Sequence, residues 1–177
     1  MKFALQEPAK ARRGRRSEAV ILFTVANQHF AIAAEAVQEI RSTDSLAGAA
    51  VEMGLAEMPK VKHRIERNQR AWYVVNASAH FGLRVTRPTL VLILRQARAA
   101  VLVDKIERMA EIAAVHALPL AFTGDERRWY RGLAYIDDQV IPVVAPSGFL
   151  APAEIEHLDR ITKADEAKRE LEGAVQA

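Results

Sequence analysis

The chain contains no cysteine, so it can form neither a disulfide framework nor a cysteine-ligated zinc site, and it offers no thiol nucleophile. It has only eight glycines, and none of them forms a phosphate-binding loop motif. The longest run without acidic or basic side chains, residues 139–153, holds three prolines, and the N-terminus has no apolar signal-peptide core. These absences predict a cytoplasmic protein without a signal peptide or a membrane span.

The 177 residues are half hydrophobic, which is enough to bury the core of one compact domain. The formal net charge of +3 is unevenly distributed. Residues 1–17 carry six basic side chains against one acidic side chain, so the remaining 160 residues carry a net charge of −2. We therefore predict a disordered basic arm over residues 1–17 and a mildly acidic folded body.

A repeat with a spacing of 69 residues organises the folded body. "RAWYVVNASAHF" (70–81) matches "QVIPVVAPSGFL" (139–150), and "ILFTVANQHFAIAAEAVQEI" (21–40) falls at the same shift on residues 90–109. Apolar and acidic positions coincide, as where Ile32 meets Val101 and Glu35 meets Asp104. The chain is therefore predicted to consist of two similar halves, each with a hairpin, a connection, and a strand that ends in a turn.

Each half offers about five short strands, and closing each half into a small β-barrel would remove exposed sheet edges. The apolar runs on either side of "NQH" in residues 19–42 suggest two strands around a tight turn. Residues 31–40 could instead be helix, and we predict strand, helical turn and strand for this segment. Residues 45–67 and 114–130 are predicted as loops with some short helix. Residues 152–177 are rich in helix formers, which predicts a C-terminal helix packed on residues 18–151. Its narrow apolar stripe consists of Ile155, Leu158, Ile161, Leu171 and Val175.

Residues that could carry chemistry have simpler structural roles. Ser147 lies in a "PSG" turn, and the five histidines show no metal-binding spacing. Glu35 and Asp104 occupy equivalent repeat positions and could form an acid pair, but acidic residues that follow an apolar strand more often face solvent or cap a turn. We therefore predict no enzymatic activity, no metal and no cofactor.

A nucleic-acid-binding small barrel is the alternative. It would use the basic arm together with the "RRWYR" cluster at residues 127–131. Acidic residues beside this cluster weaken the case, and aromatic residues where strands begin, such as Trp72 and Trp129, more often close the end of a barrel. Nucleic-acid binding is therefore the less favoured interpretation.

Several motifs together resemble the CheW-like domain family, the coupling fold of bacterial chemotaxis. "FTVANQHFAIAAEAVQEIRS" resembles the opening of that domain, and "VLVDKIERM" resembles its second-half valine-aspartate motif. "WYVVNASAHFGL", "GLAYIDDQVIPVVAPSGFL" and "APAEIEHLDRI" resemble its central strand, last hairpin and C-terminal helix. The resemblance spans residues 19 to about 165, although only "VQEIR" is close in identity.

The resemblance implies a mainly β fold of two intertwined five-stranded β-barrels with a C-terminal α-helix and a hydrophobic groove between the barrels. It implies a non-catalytic adaptor that links the cytoplasmic tip of chemoreceptors to the regulatory domain of a CheA-type histidine kinase within membrane receptor arrays. Val37, Glu39, Ile40 and Arg41 match the motif beside the receptor-binding groove, and Val101 and Val103 match its second-half wall.

The chain departs from the family at a central signature that usually reads asparagine, leucine, arginine and glycine. Glu66, Arg67, Asn68 and Gln69 stand there, with Arg67 or Arg70 as candidate replacements for the arginine. We include Asn68, Gln69 and Arg70 among the predicted partner-binding residues. Gln69 is expected to resist the backbone angles that the usual glycine adopts.

Overall fold

The computed structural model describes residues 17–175, so the predicted basic arm lies almost entirely outside the described residues. This part of the chain is mainly β. The strands of the first half are Glu18–Val25 (β1), Gln28–Ala33 (β2), Val37–Ser42 (β3), Ala50–Glu52 (β4), Val61–Arg67 (β5) and Arg70–Asn76 (β6). The strands of the second half are Leu90–Leu94 (β7), Ala99–Val103 (β8), Lys105–Ile112 (β9), Tyr130–Ile136 (β10) and Gln139–Val144 (β11). The α-helices are Ala77–His80 (α1) and Pro152–Val175 (α2).

The 69-residue repeat is confirmed at the level of strands. A shift of 69 residues carries β5 onto β10 position for position, and it overlays β1, β2, β3 and β6 on β7, β8, β9 and β11. Helix α1 corresponds to a 3-10 turn over Pro146–Gly148. Within the first copy, the predicted strand, helical turn and strand are also confirmed, because a 3-10 turn over Ala34–Ala36 separates β2 from β3.

The two halves exchange strands. The five-stranded sheet has the order β10-β11-β2-β1-β9, so a hairpin of the first half lies between strands of the second half. The six-stranded sheet has the order β3-β7-β8-β6-β5-β4, in which a hairpin of the second half lies between strands of the first. Parallel contacts of β11 with β2, and of β6 with β8, join the halves. Each sheet therefore requires both halves.

Neither sheet closes through its hydrogen-bonded order, so the prediction of closed five-stranded barrels is not confirmed. The five-stranded sheet ends at β10 and β9, and the six-stranded sheet ends at β3 and β4. The five-stranded sheet curls until β9 and β10 come into contact. Each sheet is thus a curved and open structure with a seam between its edges.

The prediction of a loop over residues 45–67 is wrong, because this segment contains β4 and β5. Along β5 the buried Val61 and Ile65 alternate with the exposed Lys62 and Glu66, which is the period-2 pattern of a strand with one buried face. The second predicted loop, residues 114–130, has little regular structure besides a 3-10 turn over Gly124–Arg128.

Aromatic side chains fill the core between the two halves. The Phe81 ring stacks on Phe30 with a centroid distance of 4.5 Å and on Tyr130 at 5.8 Å. His80 is buried against Trp129 and Phe149, and this burial lowers its pKa to about 3. His80 is therefore a neutral core residue at ordinary pH.

Helix α2 buries apolar side chains on the domain through its first half, and Glu166 in its second half forms an ion pair with Arg64 of β5. Leu158 is fully buried, whereas Leu171 is 69% exposed, so the prediction that Leu171 belongs to a packed stripe is wrong. The Tyr73 hydroxyl donates a 2.6 Å hydrogen bond to Asp159 of α2, and Arg98 donates to both carboxylate oxygens of Asp159. These bonds from Arg98 lower the pKa of Asp159, and burial raises the pKa of Tyr73 to about 12.

Among the helices of residues 17–175, none combines the length and the apolar character that a membrane-spanning helix requires.

Candidate functional site

Strand β3 is an edge of the six-stranded sheet, because it pairs with β7 alone. Val37 points into the core, but Ile40 is 42% exposed and Arg41 is exposed beside it. An exposed isoleucine on a strand with an open edge is an accessible apolar contact point. We use the name β3 edge site for Glu39, Ile40, Arg41 and the neighbouring Arg67.

Glu39 links two arginines within the β3 edge site. Arg41 Nε donates to Glu39 Oε1 at 2.6 Å, and Arg67 Nη1 donates to Glu39 Oε2 at 3.3 Å. The hydrogen bond from Arg41 lowers the pKa of the Glu39 carboxyl, and Arg67 adds to the effect. The Arg67 guanidinium also lies over the Trp72 ring, 5.5 Å from its centroid. Glu39 therefore holds both arginines on one face of β3, and the exposed Ile40 projects from the other face of the same strand.

Asn68 and Gln69 form the two-residue turn between β5 and β6. Their φ angles are +50° and +59°, which is the left-handed pair of a type I′ hairpin turn. Gln69 thus adopts the conformation that it was expected to resist, and the turn retains its shape without glycine. Arg70 follows the turn with an exposed side chain. The contact between Arg67 and Glu39 brings this hairpin to the β3 edge site.

Val101 and Val103, the remaining predicted partner-binding residues, lie in the hydrophobic core. Both side chains are fully buried on the central strand β8. The ion pair of Arg67 with Glu39 therefore connects the β3 residues Glu39, Ile40 and Arg41 to the hairpin that carries Asn68, Gln69 and Arg70, and the two valines lie beneath the surface. Their predicted role is consequently restricted to shaping the sheet from inside.

Sequence reasoning did not identify Arg67 as the partner of Glu39. The two residues are 28 positions apart, and only the pairing of β5 in the six-stranded sheet brings them together. The alternation of "VKHRIER" was the available signal, since it predicts a strand ending at Arg67. The shift from β10 by 69 residues predicts the same strand.

The other residues considered for chemistry have structural partners. Asp104 accepts hydrogen bonds from the Ala26 amide at 2.7 Å and from Thr86 Oγ1 at 2.6 Å, so it has a structural role, in which it binds the distant β1–β2 turn and not the turn that follows it. Glu35 is exposed, and its main-chain oxygen accepts from Arg95. Ser147 is exposed in a 3-10 turn. Among the described residues, no cluster of histidine and acidic side chains could hold a metal ion.

Three of the four aromatic residues in the nucleic-acid hypothesis pack into the core, whereas Trp72 is half-buried beneath the Arg67 guanidinium. Tyr73 is fully buried, and Trp129 and Tyr130 are partly buried against Phe81. A platform for bases needs exposed rings interleaved with basic side chains on one face. These rings close the hydrophobic core, as the alternative reading of aromatic residues predicted.

An ion pair bridges the seam of each sheet, and its polarity is opposite in the two halves. In the six-stranded sheet Glu39 of β3 pairs with Arg67 at the end of β5. In the five-stranded sheet the repeat equivalent of Glu39 is Arg108 of β9, which pairs with Asp137 in the turn after β10. Ile40 likewise has the exposed Met109 as its equivalent. Each ion pair thus uses the same repeat position on its edge strand, and the charge at that position is negative in β3 and positive in β9.

Comparison with known proteins identifies the fold. The sequence-family model of the CheW-like domain matches residues 19–154, which is most of the chain. The crystal structure of scaffolding protein TtCheW from Thermoanaerobacter tengcongensis is similar, with a TM-score of 0.60 and 17% sequence identity, covering 73% of this chain and 90% of TtCheW. No curated protein sequence matches significantly. With a family match over this length and the strand exchange seen in the fold, the chain belongs to the CheW-like domain family.

Proposed function

We propose that this protein is a non-catalytic adaptor of chemotaxis signalling that couples the cytoplasmic tip of a chemoreceptor to the regulatory domain of a CheA-type histidine kinase. Membership of the CheW-like family supports a scaffold role. The observation that carries the proposal is the β3 edge site, where Ile40 is exposed on an edge strand whose opposite face carries the ion pairs of Glu39 with Arg41 and Arg67. An apolar anchor with a polar rim is the usual anatomy of a protein-binding surface.

In this proposal, Ile40 supplies affinity, and Glu39, Arg41 and the turn residues Asn68, Gln69 and Arg70 orient the partner. Val37, Val101 and Val103 support the contact surface from the core side. The domain organisation is proposed as a basic arm over 1–17, a CheW-like body over 18–151 and a C-terminal helix over 152–177. The protein would act in the cytoplasm, associated with receptor arrays.

Substitution of Ile40 tests the proposal. In three-component co-sedimentation with a receptor cytoplasmic fragment and the histidine kinase, we expect Ile40→Glu to weaken association about 30-fold, because a central apolar contact contributes about 2 kcal/mol or more. The control is Val85→Glu, which places the same charge at an almost fully exposed apolar position in the connection before β7. The control chain is expected to co-sediment like the unmodified protein.

Two results would contradict the proposal. The unmodified chain would fail to associate with either the receptor fragment or the kinase, or Ile40→Glu would co-sediment as well as Val85→Glu. Circular dichroism of both variants distinguishes loss of the surface from loss of the fold.

A further inference from the structure

A pocket lined by four arginines lies next to the β3 edge site. Arg67 and Arg70 of the β5–β6 hairpin face Arg95 and Arg98 of the β7–β8 turn across a cavity of about 420 Å³. The other lining residues are Asn68, Trp72, Gln96 and Ala97. Among the described residues, no acidic side chain lines this cavity, which we call the arginine pocket. Glu39 and Asp159, outside the lining, compensate the charges of Arg67 and Arg98, so the positive charge offered to an anionic ligand is mainly that of Arg70 and Arg95.

Contacts outside the pocket fix three of the four guanidinium groups. Glu39 holds Arg67, the main-chain oxygen of Glu35 holds Arg95, and Asp159 holds Arg98. Arg98 also donates twice to the Ala71 carbonyl, at 2.7 and 2.9 Å. Anchoring at one side of a guanidinium lowers the entropy lost when its remaining donors bind a ligand.

Arg70 is different from the other three. Within residues 17–175 its side chain makes no hydrogen bond or ion pair, and it is exposed at the boundary between the arginine pocket and the cleft under α2. Its charge is therefore available to a ligand without loss of an existing contact.

The repeat shows that the fold does not require these arginines. The equivalents of Arg67, Arg70, Arg95 and Arg98 in the other half are Ile136, Gln139, Ala26 and His29. The equivalent hairpin turn has the same left-handed geometry, with φ angles of +49° and +61° at Asp137 and Asp138. Turns of this kind thus form without arginine, and in the other half with acidic residues. The four arginines therefore occur at these positions in one half of the repeat and are absent from the equivalent positions of the other half. This difference indicates that they have a role in binding.

We infer that the arginine pocket binds an acidic segment of the protein partner that docks on the β3 edge site. The inference rests on the proposed function, because it places the acidic segment beside the contact made by Ile40. Arg67 belongs to both surfaces, so the pocket borders the β3 edge site at the ion pair of Arg67 with Glu39. Two or more carboxylates of the acidic segment would bind Arg70 and Arg95 directly. Arg67 and Arg98 would add to the positive electrostatic potential in the pocket.

Binding of a fluorescent oligoglutamate peptide to the full chain tests the inference. We expect Arg70→Ala and Arg95→Ala each to weaken binding about threefold, and the double variant about tenfold, as for partly exposed charge pairs. The matched control is Arg84→Ala, which removes an exposed arginine outside the pocket and is expected to leave the affinity unchanged. An oligoglutamine peptide of the same length is expected not to bind.

The basic arm needs its own comparison, because it could attract the peptide by charge alone. A full-length variant with alanine at Arg12, Arg13, Arg15 and Arg16 is expected to retain the sensitivity to Arg70→Ala. The inference is overturned if the peptide does not bind, if Arg84→Ala weakens binding as much as Arg70→Ala, or if only the arm variant loses binding. Displacement by inorganic pyrophosphate at lower concentration than by oligoglutamate would assign the pocket to a small phosphate anion and would equally overturn it.

Co-sedimentation of the same variants separates this inference from the proposed function. If the chain associates with receptor and kinase but the arginine variants have no effect in either assay, the inference fails and the adaptor role stands. If the peptide binds at the pocket while the chain associates with neither protein, the proposed function fails.

Discussion

At the residue scale, the hairpin turns contain non-glycine residues in left-handed conformations. Ala26 and Asn27, Asn68 and Gln69, and Asp137 and Asp138 all have φ angles between about +49° and +64°. Asparagine and aspartate tolerate this region better than other side chains do. Ala26 and Gln69 are therefore the strained positions, and each is stabilised by the hairpin around it.

Replacement of Gln69 by glycine should stabilise the protein. We expect Gln69→Gly to raise the free energy of unfolding by about 0.5–1 kcal/mol, because relief of left-handed strain exceeds the entropy that glycine loses. Urea unfolding measures the change. As a matched control, Gln139→Gly at the beginning of β11 is expected to lower stability, since Gln139 is an extended strand residue. An equal loss of stability in both variants would contradict this prediction.

The residues of the candidate site were only partly predictable. The motif "VQEIR" identified Glu39, Ile40 and Arg41, and its short range made their shared location on β3 predictable. The burial of Val101 and Val103 was not predictable. A matching motif places a residue along a strand, but it does not say which face of the strand other elements cover. Arg95 and Arg98 join Arg67 and Arg70 only through the long-range pairing of β6 with β8.

At the element scale, sequence patterns predicted strands where the apolar run was continuous and failed where it alternated. β1 and β2 have such runs, and both were predicted. β5 buries only two of its seven residues, and its many charged side chains led to the prediction of a loop instead of a strand. Helix α2 was predicted from its composition, but the extent of its packing depends on where the sheet surface ends.

Two leucines of α2 provide a matched test of that packing. We expect Leu158→Ala to lower the free energy of unfolding by about 2–5 kcal/mol, because the side chain is fully buried and its removal leaves a cavity. Leu171→Ala on the same helix should change stability by less than about 0.5 kcal/mol, since Leu171 is largely exposed. Thermal unfolding of the two variants measures the difference. Similar effects at both positions would show that α2 packs along its whole length.

At the scale of the whole molecule, strand exchange makes the two halves depend on each other. The repeat predicted two similar halves, and the resemblance implied that they intertwine. Neither could specify which strands exchange, because the apolar patterns of β3 and β9 are compatible with pairing in either half. The observed pairing of β3 with β7 and of β1 with β9 crosses the boundary between the halves in both directions.

Separated halves should therefore not fold alone. We expect fragments 1–83 and 84–177, expressed individually, to lack a cooperative urea transition, because each sheet would lose its central strands or its flanking strands. Mixing the two fragments should restore a single transition, followed by tryptophan fluorescence, since each fragment contains one tryptophan. A cooperative transition in either isolated fragment would contradict the strand exchange.

The open edge of the five-stranded sheet bears on whether two molecules can pair through their strands. Its edge strand β9 leaves one row of main-chain groups without a neighbouring strand, which in principle invites polymerisation between molecules. Charged side chains are spread along this strand at Lys105, Glu107, Arg108 and Glu111. Their hydration opposes the approach of a second edge. The charged side chains of β9 therefore oppose pairing of this edge of the five-stranded sheet with the sheet edge of a second molecule.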